Sequence, residues 1–579
     1  MIIRNEYPRP EFKRAVWQTL NGLWDFEFDD TNSGIAKGFY KVSHLLSRKI
    51  VVPFAYQTEA SGINETEDHP VMWYKKTFTL EEGLKGKNIL LTFNAVDYSA
   101  TVWVNGIYVG EHHNGYSRFS FNITKLLKQK GENVITVRVV DDVDANQPRG
   151  KQSWIGETHR CWYYATSGIW QSVWLEAVGE DHLVKTLIVP NIDKNNVLFT
   201  FETNGCASDI DVEISFKGEV VKKIKSTLDG KITKLTAELL PYDAIDEIHY
   251  WSPNHPNLYQ VKLTLYMKNK VVDEVDTYFG FRKISLDGLG NILLNNRPLY
   301  QKLILDQGYW AKTGLTPPSH EALAHDIRLA KEMGFNGARK HQKIEDSYFY
   351  YYADKLGFLV WAEMPSGYQY DYKEVSKVSS QFYDLIIQLY NFPSIITWVP
   401  LNESWGVRKI LVNKEQQALG KSLYYLAKAI DPTRLVNIND GWENPLLTDF
   451  ISIHDYSRYG EDFAKESSKE GVVKAYPMGR KTIIGTEYNP TKPVLITEFG
   501  GISIREFMKK DNDWGYAGNE DLEGFYKRFK ILMDNIKASD IQGYCYTQLT
   551  DVMQETNGLL DANHNPKINL KKIKDILNG

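Results

Sequence analysis

Glu403 in "ITWVPLNESWGV" (396–407) and Glu498 in "VLITEFGG" (494–501) each close a run of apolar residues that reads as a buried strand. A strand that only needs to stop uses Gly, Pro or Asp. Here each stop carries a carboxylate, and Glu403 has an amide, Asn402, before it and an indole, Trp405, two residues on. Two carboxyl groups brought face to face can divide the work at an acetal carbon. One protonates the leaving oxygen while the other attacks the carbon, provided that about 5–5.5 Å separates them. Glutamate suits both tasks because its pKa follows its surroundings. An apolar wall such as Trp398 and Trp405 would push Glu403 toward the acid form, and a hydroxyl such as that of Tyr456 would hold the attacking carboxylate ionised. The amide of Asn402 is suited to a sugar hydroxyl next to the reacting carbon.

Such a pair needs a scaffold that brings distant strands to one mouth. From residue 284 onward, apolar runs of four to eight residues alternate with amphipathic stretches. The strand candidates are 299–305, 337–341, 358–364, 395–402, 434–439, 450–456, 494–499 and 541–550. Residues 319–334, "SHEALAHDIRLAKEMG", predict a helix with Ser319 as N-cap and Gly334 at its stop. Eight nearly continuous apolar strands separated by helices describe a (β/α)8 TIM barrel, whose strands are covered on both faces and whose C-terminal ends carry the chemistry. Collected there are Asp306 and Gln307, Arg339 and His341, Glu363, Asn402 and Glu403, Asn439 and Asp440, His454 and Tyr456, Glu498, and Gln548 and Asp551. Glu403 and Glu498 are the catalytic candidates. Asn402, Tyr456, His341, Arg339, Asp551 and Trp405 are the substrate-binding candidates. Arg339 reads more as a brace for the carboxylates than as a substrate ligand, His341 alternatively as a satisfied structural histidine, and Trp405 and Trp442 equally as platforms or packing.

The first half of the chain is β. Short alternating strands such as "VMWYKKTFTL" and "NVITVRVVDD", with turn signals such as Asn105-Gly106, predict a β jelly roll over 1–180. Cleaner alternation in "NVLFTFET" and "LYQVKLTLYM" predicts an immunoglobulin-like β-sandwich over 181–283, acting as a spacer, before the barrel at 284–579. The polar, aromatic segment 147–164, "QPRGKQSWIGETHRCWYY", reads as a long exposed loop with a functional role.

Totals exclude several function classes. Net charge is −5 with no Lys/Arg block, which argues against nucleic acid as a partner. Cys161, Cys206 and Cys545 are dispersed and odd in number, which fits a reducing compartment and provides no zinc site. No 18-residue apolar run and no apolar leader are present, so the expectation is a cytoplasmic protein with no membrane contact. Aromatic residues make up 13% of the chain, which suits both packing and the C–H faces of sugars. No cofactor is expected, because a carboxylate pair hydrolyses acetals without metal. A homo-oligomer remains open.

The motifs also resemble those of glycoside hydrolase family 2, which contains β-galactosidases, β-glucuronidases and β-mannosidases. "NE" after the fourth strand and "ITEFGG" at the seventh look like its catalytic motifs, and their 95-residue separation suits three βα units. "RPEFKRAVWQTLNGLWDFEFDD", "VDYSATVWVNGIYVGEH", "SGIWQSVWLE", "YWSPNHPNLYQVKL" and "GFRKI" resemble successive landmarks of the family in its own order. The resemblance implies a retaining exo-β-glycosidase with Glu403 as acid/base, Glu498 as nucleophile and Tyr456 beside the nucleophile. Mg²⁺ and Na⁺ are used by some of its β-galactosidases. "NESWG" looks like the galactosidase form of the motif, which implies β-D-galactosides. The glucuronidase Asn-X-Lys-Gly motif has no counterpart in "QETNGLLD". The sequence departs from the family at "ARKHQ", one residue shorter than usual, and at Trp162, where an aspartate is common. That leaves β-glucuronidase, β-mannosidase and arabinopyranoside- or fucoside-cleaving activities as alternatives. A non-catalytic carbohydrate-binding protein is the reading from another class.

Overall fold

The computed structural model describes residues 4–205, 207–239 and 248–579; Cys206 lies outside them. The N-terminal part pairs two antiparallel sheets. One has the order Trp17–Thr19, Val173–Val178, Asn88–Phe93, Phe119–Asn122. The other has six strands, running from Arg48–Val52 through Gly22–Phe28, Val71–Phe78, Asn133–Val140 and Ser99–Val104 to Ile107–His113. Inward residues of both sheets, among them Trp24, Tyr74, Val102, Leu91 and Leu175, form one core. This is the jelly roll that the alternation predicted.

The second part is a sandwich of three and four antiparallel strands, running from Leu183–Asn191 to Lys270–Phe279. Its strand Asn196–Thr203 alternates buried and half-buried residues along its whole length. The sandwich locks onto the C-terminal part through buried polar contacts. Tyr278 donates to Asp354 at 2.8 Å, and the Arg282 guanidinium donates to the carbonyls of Pro393 and Ile395, both at 2.9 Å.

The C-terminal part holds eight parallel strands: β1 (Gln301–Asp306), β2 (Gly337–Lys340), β3 (Leu359–Glu363), β4 (Ile395–Val399), β5 (Leu435–Val436), β6 (Ile451–His454), β7 (Val494–Gly500) and β8 (Gly543–Thr547). They pair in the order 5-4-3-2-1-8-7-6. The gap between β5 and β6 has no regular ladder; Asn437 Nδ2 donates to Phe450 O at 3.3 Å, and His454 N–H to Gly441 O at 3.0 Å. Every residue of β3, β4, β7 and β8 is buried, as a sheet covered on both faces requires. The first helix, α1 (His320–Glu332), starts where expected, with the Ser319 hydroxyl accepting from Ala322 N–H. Its buried residues Leu323, Ile327 and Ala330 recur at helical spacing. Lys302 of β1 turns away from the mouth and reaches Asn578 at 3.0 Å.

Candidate active site at the barrel mouth

Beyond β4, the two-residue strand Leu401–Asn402 pairs with Asn439–Asp440 and delivers Glu403 to the mouth. Glu403 and Ser404 both take left-handed backbone conformations, with φ of +50° and +57°. Two such residues in succession are held by their surroundings rather than by preference. Glu403 N–H donates to Asp440 O at 2.9 Å, and Ser404 N–H to Asn439 Oδ1 at 2.9 Å. The turn points the Glu403 carboxylate at Glu498, on β7. His454 Nδ1, on β6, lies 2.9 Å from Glu403 Oε1 and 3.4 Å from Glu498 Oε2. One oxygen of each glutamate and this nitrogen all fall within 4.8 Å of one another.

Each glutamate has its own donors. Tyr456 OH donates to Glu498 Oε2 at 2.6 Å, and Arg339 Nη1 donates to Glu498 Oε1 at 2.6 Å. Trp405 Nε1 donates to Glu403 Oε2 at 3.2 Å. Arg339 is the hub beneath them: it is fully buried and also reaches Glu363 at 2.6 Å, Asp440 at 2.7 Å and Asn402 Oδ1 at 2.6 Å. It therefore braces the carboxylates, the role weighed against direct substrate contact. Asn402 has its carbonyl oxygen occupied by Arg339, leaving its NH2 group free to donate.

The charges explain the titration of the site. Burial alone would lower His454, but the charges of Glu498 and Asp440 and hydrogen bonds to Asp440 and Glu403 hold it up at about 10. With Nε2 3.0 Å from Asp440 Oδ2, the ring is an imidazolium donating from both nitrogens. Asp440 is correspondingly held well below the usual carboxylate range against its burial. Burial raises Glu363 to about 7, although Arg339 opposes it. His341 is pushed well down by burial and by the charges of Arg339 and Lys151, so its ring is neutral and its Nδ1, 3.2 Å from Arg339 Nη2, accepts from the Arg339 guanidinium. For Glu403 the sequence expectation is corrected. Burial would raise it, but the His454 hydrogen bond and charge, Lys151 and the Trp405 donor hold it below its ordinary value. Trp398 does not wall it at all, because its indole is turned to Asp431 at 2.9 Å.

Above the glutamates opens a cavity of about 820 Å³, lined by Glu403, Trp405, Trp442, Tyr456, Trp162 and Tyr516, among others. The loop 147–164 supplies one wall, and the expectation of exposure holds only for its tip, 155–158 and Arg160. Arg149, Lys151, Gln152, Ser153 and Tyr163 are buried; Gln152 Nε2 donates to Asp97 within the N-terminal domain at 2.8 Å, and Tyr163 OH donates across to Glu555 of the C-terminal part at 2.6 Å. Trp162, at the position where the family often has aspartate, meets Trp405 edge-on at 4.9 Å. Asp551 stands apart from the other candidates. It is paired with Lys567 at 2.7 Å and lines a separate cavity with Tyr309 and Trp310, so it is not carried forward as a substrate contact. The reading of single strand ends did not single out His454 and Asp440 as a unit, and it missed Lys151 and Glu555. His454 lies two residues before Tyr456 on an inward-facing strand, a signal that was available.

Among the described residues, Glu403, His454 and Glu498 are the one His, Cys or acid trio close enough to share an ion. Each member is already engaged, His454 by Glu403 and Asp440 and Glu498 by Arg339 and Tyr456, so an ion held here would have to displace these contacts.

Family models for the glycosyl hydrolases family 2 sugar binding domain match residues 17–178, for the family's central domain residues 182–282, and for its TIM barrel domain residues 285–579. The chain belongs to glycosyl hydrolases family 2. Among family members, a β-galactosidase of Thermoanaerobacter pseudethanolicus is 28% identical over 67% of this chain and 50% of its own length. A β-glucuronidase of Bacteroides fragilis is 26% identical over 89% of this chain and 73% of its own length. The chain spans about half the length of the first of these relatives. The fold matches that of a solved Ruminococcus gnavus β-glucuronidase with a TM-score of 0.78 at 20% identity, covering 99% of both chains. A Bacteroides uniformis β-glucuronidase superposes with a TM-score of 0.76 at 22% identity, over 96% of this chain and 68% of that one. No helix among the described residues is long and apolar enough to cross a membrane.

Proposed function

We propose that the protein is a retaining exo-β-glycosidase acting on terminal, non-reducing neutral sugars, with β-D-galactosides as the first substrate class. The observation that carries this reading is the meeting of Glu403 and Glu498 oxygens within 4.8 Å, around His454. That spacing leaves no room for an intervening water on the far face of a sugar and suits direct attack. Glu498, held by Tyr456 and Arg339, attacks the anomeric carbon as Glu403 gives its proton to the leaving oxygen. The C1–O bond to the aglycone breaks and a C1–O bond to Glu498 forms. Water then attacks C1, Glu403 takes its proton, and Glu498 leaves as a carboxylate. The single mouth walled by 158–162 supports exo action.

A β-glucuronidase is the second reading, favoured by the names of several relatives and of the fold neighbours. Against it, Lys567, the lysine of the segment after β8, is committed to Asp551 at 2.7 Å and to the Thr556 carbonyl at 3.0 Å. The test is a panel of 4-nitrophenyl glycosides with wild type and Glu498→Gln. The reading expects turnover of a neutral β-glycoside that the substitution lowers by at least about 10³-fold. Turnover that survives the substitution would refute it.

A further inference from the structure

Outside the glutamate pair, Lys151 brings a cation near three acids without direct contact to any of them. Lys151 is 6% exposed, and among the described residues its Nζ makes no ion pair or hydrogen bond; the Tyr163 ring centroid is 5.9 Å away. Lys151 Nζ is not a fully buried atom, so the ammonium keeps a little contact with solvent and its N–H groups are open to a ligand. Its backbone is fixed. Gly150 takes φ +64° where a Cβ would run into the Gln342 carbonyl, and the N–H groups of Arg149 and Gly150 both donate to Ser366 O, at 2.9 and 3.1 Å. This clamp seats "PRGKQ" of the N-terminal domain on the loops after β2 and β3.

Beside Lys151 an isolated backbone bridge between Gln152 and Tyr163 brings an acid. Tyr163 N–H donates to Lys151 O at 2.9 Å, and Tyr163 OH donates to Glu555 Oε2 at 2.6 Å. Glu555 is 1% exposed and comes from the segment after β8. Gln307 Nε2 lies 3.0 Å from Tyr163 OH and 3.5 Å from Glu555 Oε1, while Gln307 Oε1 and Asn557 Nδ2 are buried without partners. The neighbours Trp162, Cys161 and Gln554 line the cavity above the catalytic pair. Burial opposes the Lys151 charge, but Cys161 and then Glu555, Glu498 and Glu403 raise it above its ordinary value, so its charge is felt by all three acids. The cluster thus offers unused donors on Lys151 and Asn557, and unused acceptors on Glu555 and Gln307.

We propose that Lys151 and Glu555 form the subsite that reads the hydroxyls of the bound sugar, and that the pair selects a neutral glycone over a uronate. A hydroxyl both donates and accepts, so it uses the ammonium and the carboxylate together. A uronate carboxylate only accepts, and it would meet Glu555 in a place where one ammonium already serves three acids. The inference rests on the glycosidase reading and deepens it.

The experiment measures kcat/KM of wild type, Lys151→Met, Glu555→Gln and Glu498→Gln on 4-nitrophenyl β-D-galactopyranoside, β-D-glucopyranoside and β-D-glucuronide. Wild type should favour a neutral substrate by about 100-fold or more, and Lys151→Met should cut that neutral rate by about 10- to 100-fold. Glu555→Gln should narrow the neutral-to-uronate ratio by about 10-fold or more. The ratio is measured within each variant, so partial misfolding does not move it. Preference of wild type for the glucuronide, or a ratio unchanged in both subsite variants while Glu498→Gln is inactive, would overturn the subsite alone. Turnover that survives Glu498→Gln, or none on any glycoside, would remove the glycosidase reading and the subsite with it.

Discussion

His454 Nδ1 stands 2.9 Å from Glu403 Oε1, so the candidate acid/base shares a hydrogen bond with an imidazolium whose pKa is raised to about 10. The cation stabilises the carboxylate form of Glu403. A general acid held this way is a strong proton donor once protonated, but it is protonated in only a small fraction of molecules at neutral pH.

The sign of the pH dependence follows. In the proposed mechanism glycosyl transfer needs Glu403 protonated, so kcat/KM should fall as pH rises through its lowered pKa, with an optimum on the acid side of neutrality. Replacing His454 by Gln removes the positive charge and raises Glu403. The descending alkaline limb of the kcat/KM profile should move upward by roughly 1–2 pH units. An unmoved limb would mean that His454 does not set the acid.

Tyr456→Phe deletes the 2.6 Å hydroxyl donor to Glu498 Oε2 and changes little else in size. A hydrogen bond to a charged group contributes about 1.5–3 kcal/mol, so kcat/KM should drop roughly 10- to 150-fold with Tm nearly unchanged. Full activity in the variant would show that the nucleophile does not depend on this donor.

Arg339 should matter to stability before it matters to rate. Arg339→Met leaves Glu363, Asp440 and Glu498 buried together without their shared cation. Breaking such a network costs about 3–5 kcal/mol, read as a large fall in Tm, and lysine should not restore it because it lacks the planar fork. A wild-type melting curve for Arg339→Met would contradict the hub.

Much of this was legible in the sequence. The barrel strands lie within about two residues of the apolar runs, apart from the shorter β4, β5 and β8, because a parallel sheet buried on both faces leaves no polar interruptions. Glu403, Glu498, Asn402, Tyr456, Arg339 and His341 converge because strand ends of one barrel must share a mouth. Asp551 misled because a position just past a strand does not say into which cavity the chain then turns. The 147–164 segment misled for a different reason. Its polarity means exposure only at the tip, 155–158 and Arg160; inside the protein Arg149 pairs with Asp141 and Gln152 with Asp97, and Lys151 is buried by domain docking that no local pattern encodes.

A titration away from the mouth gives an independent check of the packing. Glu374, in the helix Tyr372–Leu389, is 3% exposed with both carboxylate oxygens unpartnered, and burial raises it from 4.5 to about 7. Its folded pKa exceeds the unfolded one, so its stabilising contribution is whole below 4.5 and is lost as pH rises through 7. Glu374→Gln cannot ionise, and relative to wild type it should gain on the order of 1–3 kcal/mol across that window. Parallel Tm-versus-pH curves for the two proteins would rule out the burial.

The geometry of the two glutamates is tested most directly by proton NMR of the first sugar released from a hydrolysed β-glycoside, recorded before mutarotation. Oxygens within 4.8 Å of each other predict two displacements and a β anomer as the initial product. An α anomer appearing first would mean that water attacks directly, and that Glu498 is not the nucleophile.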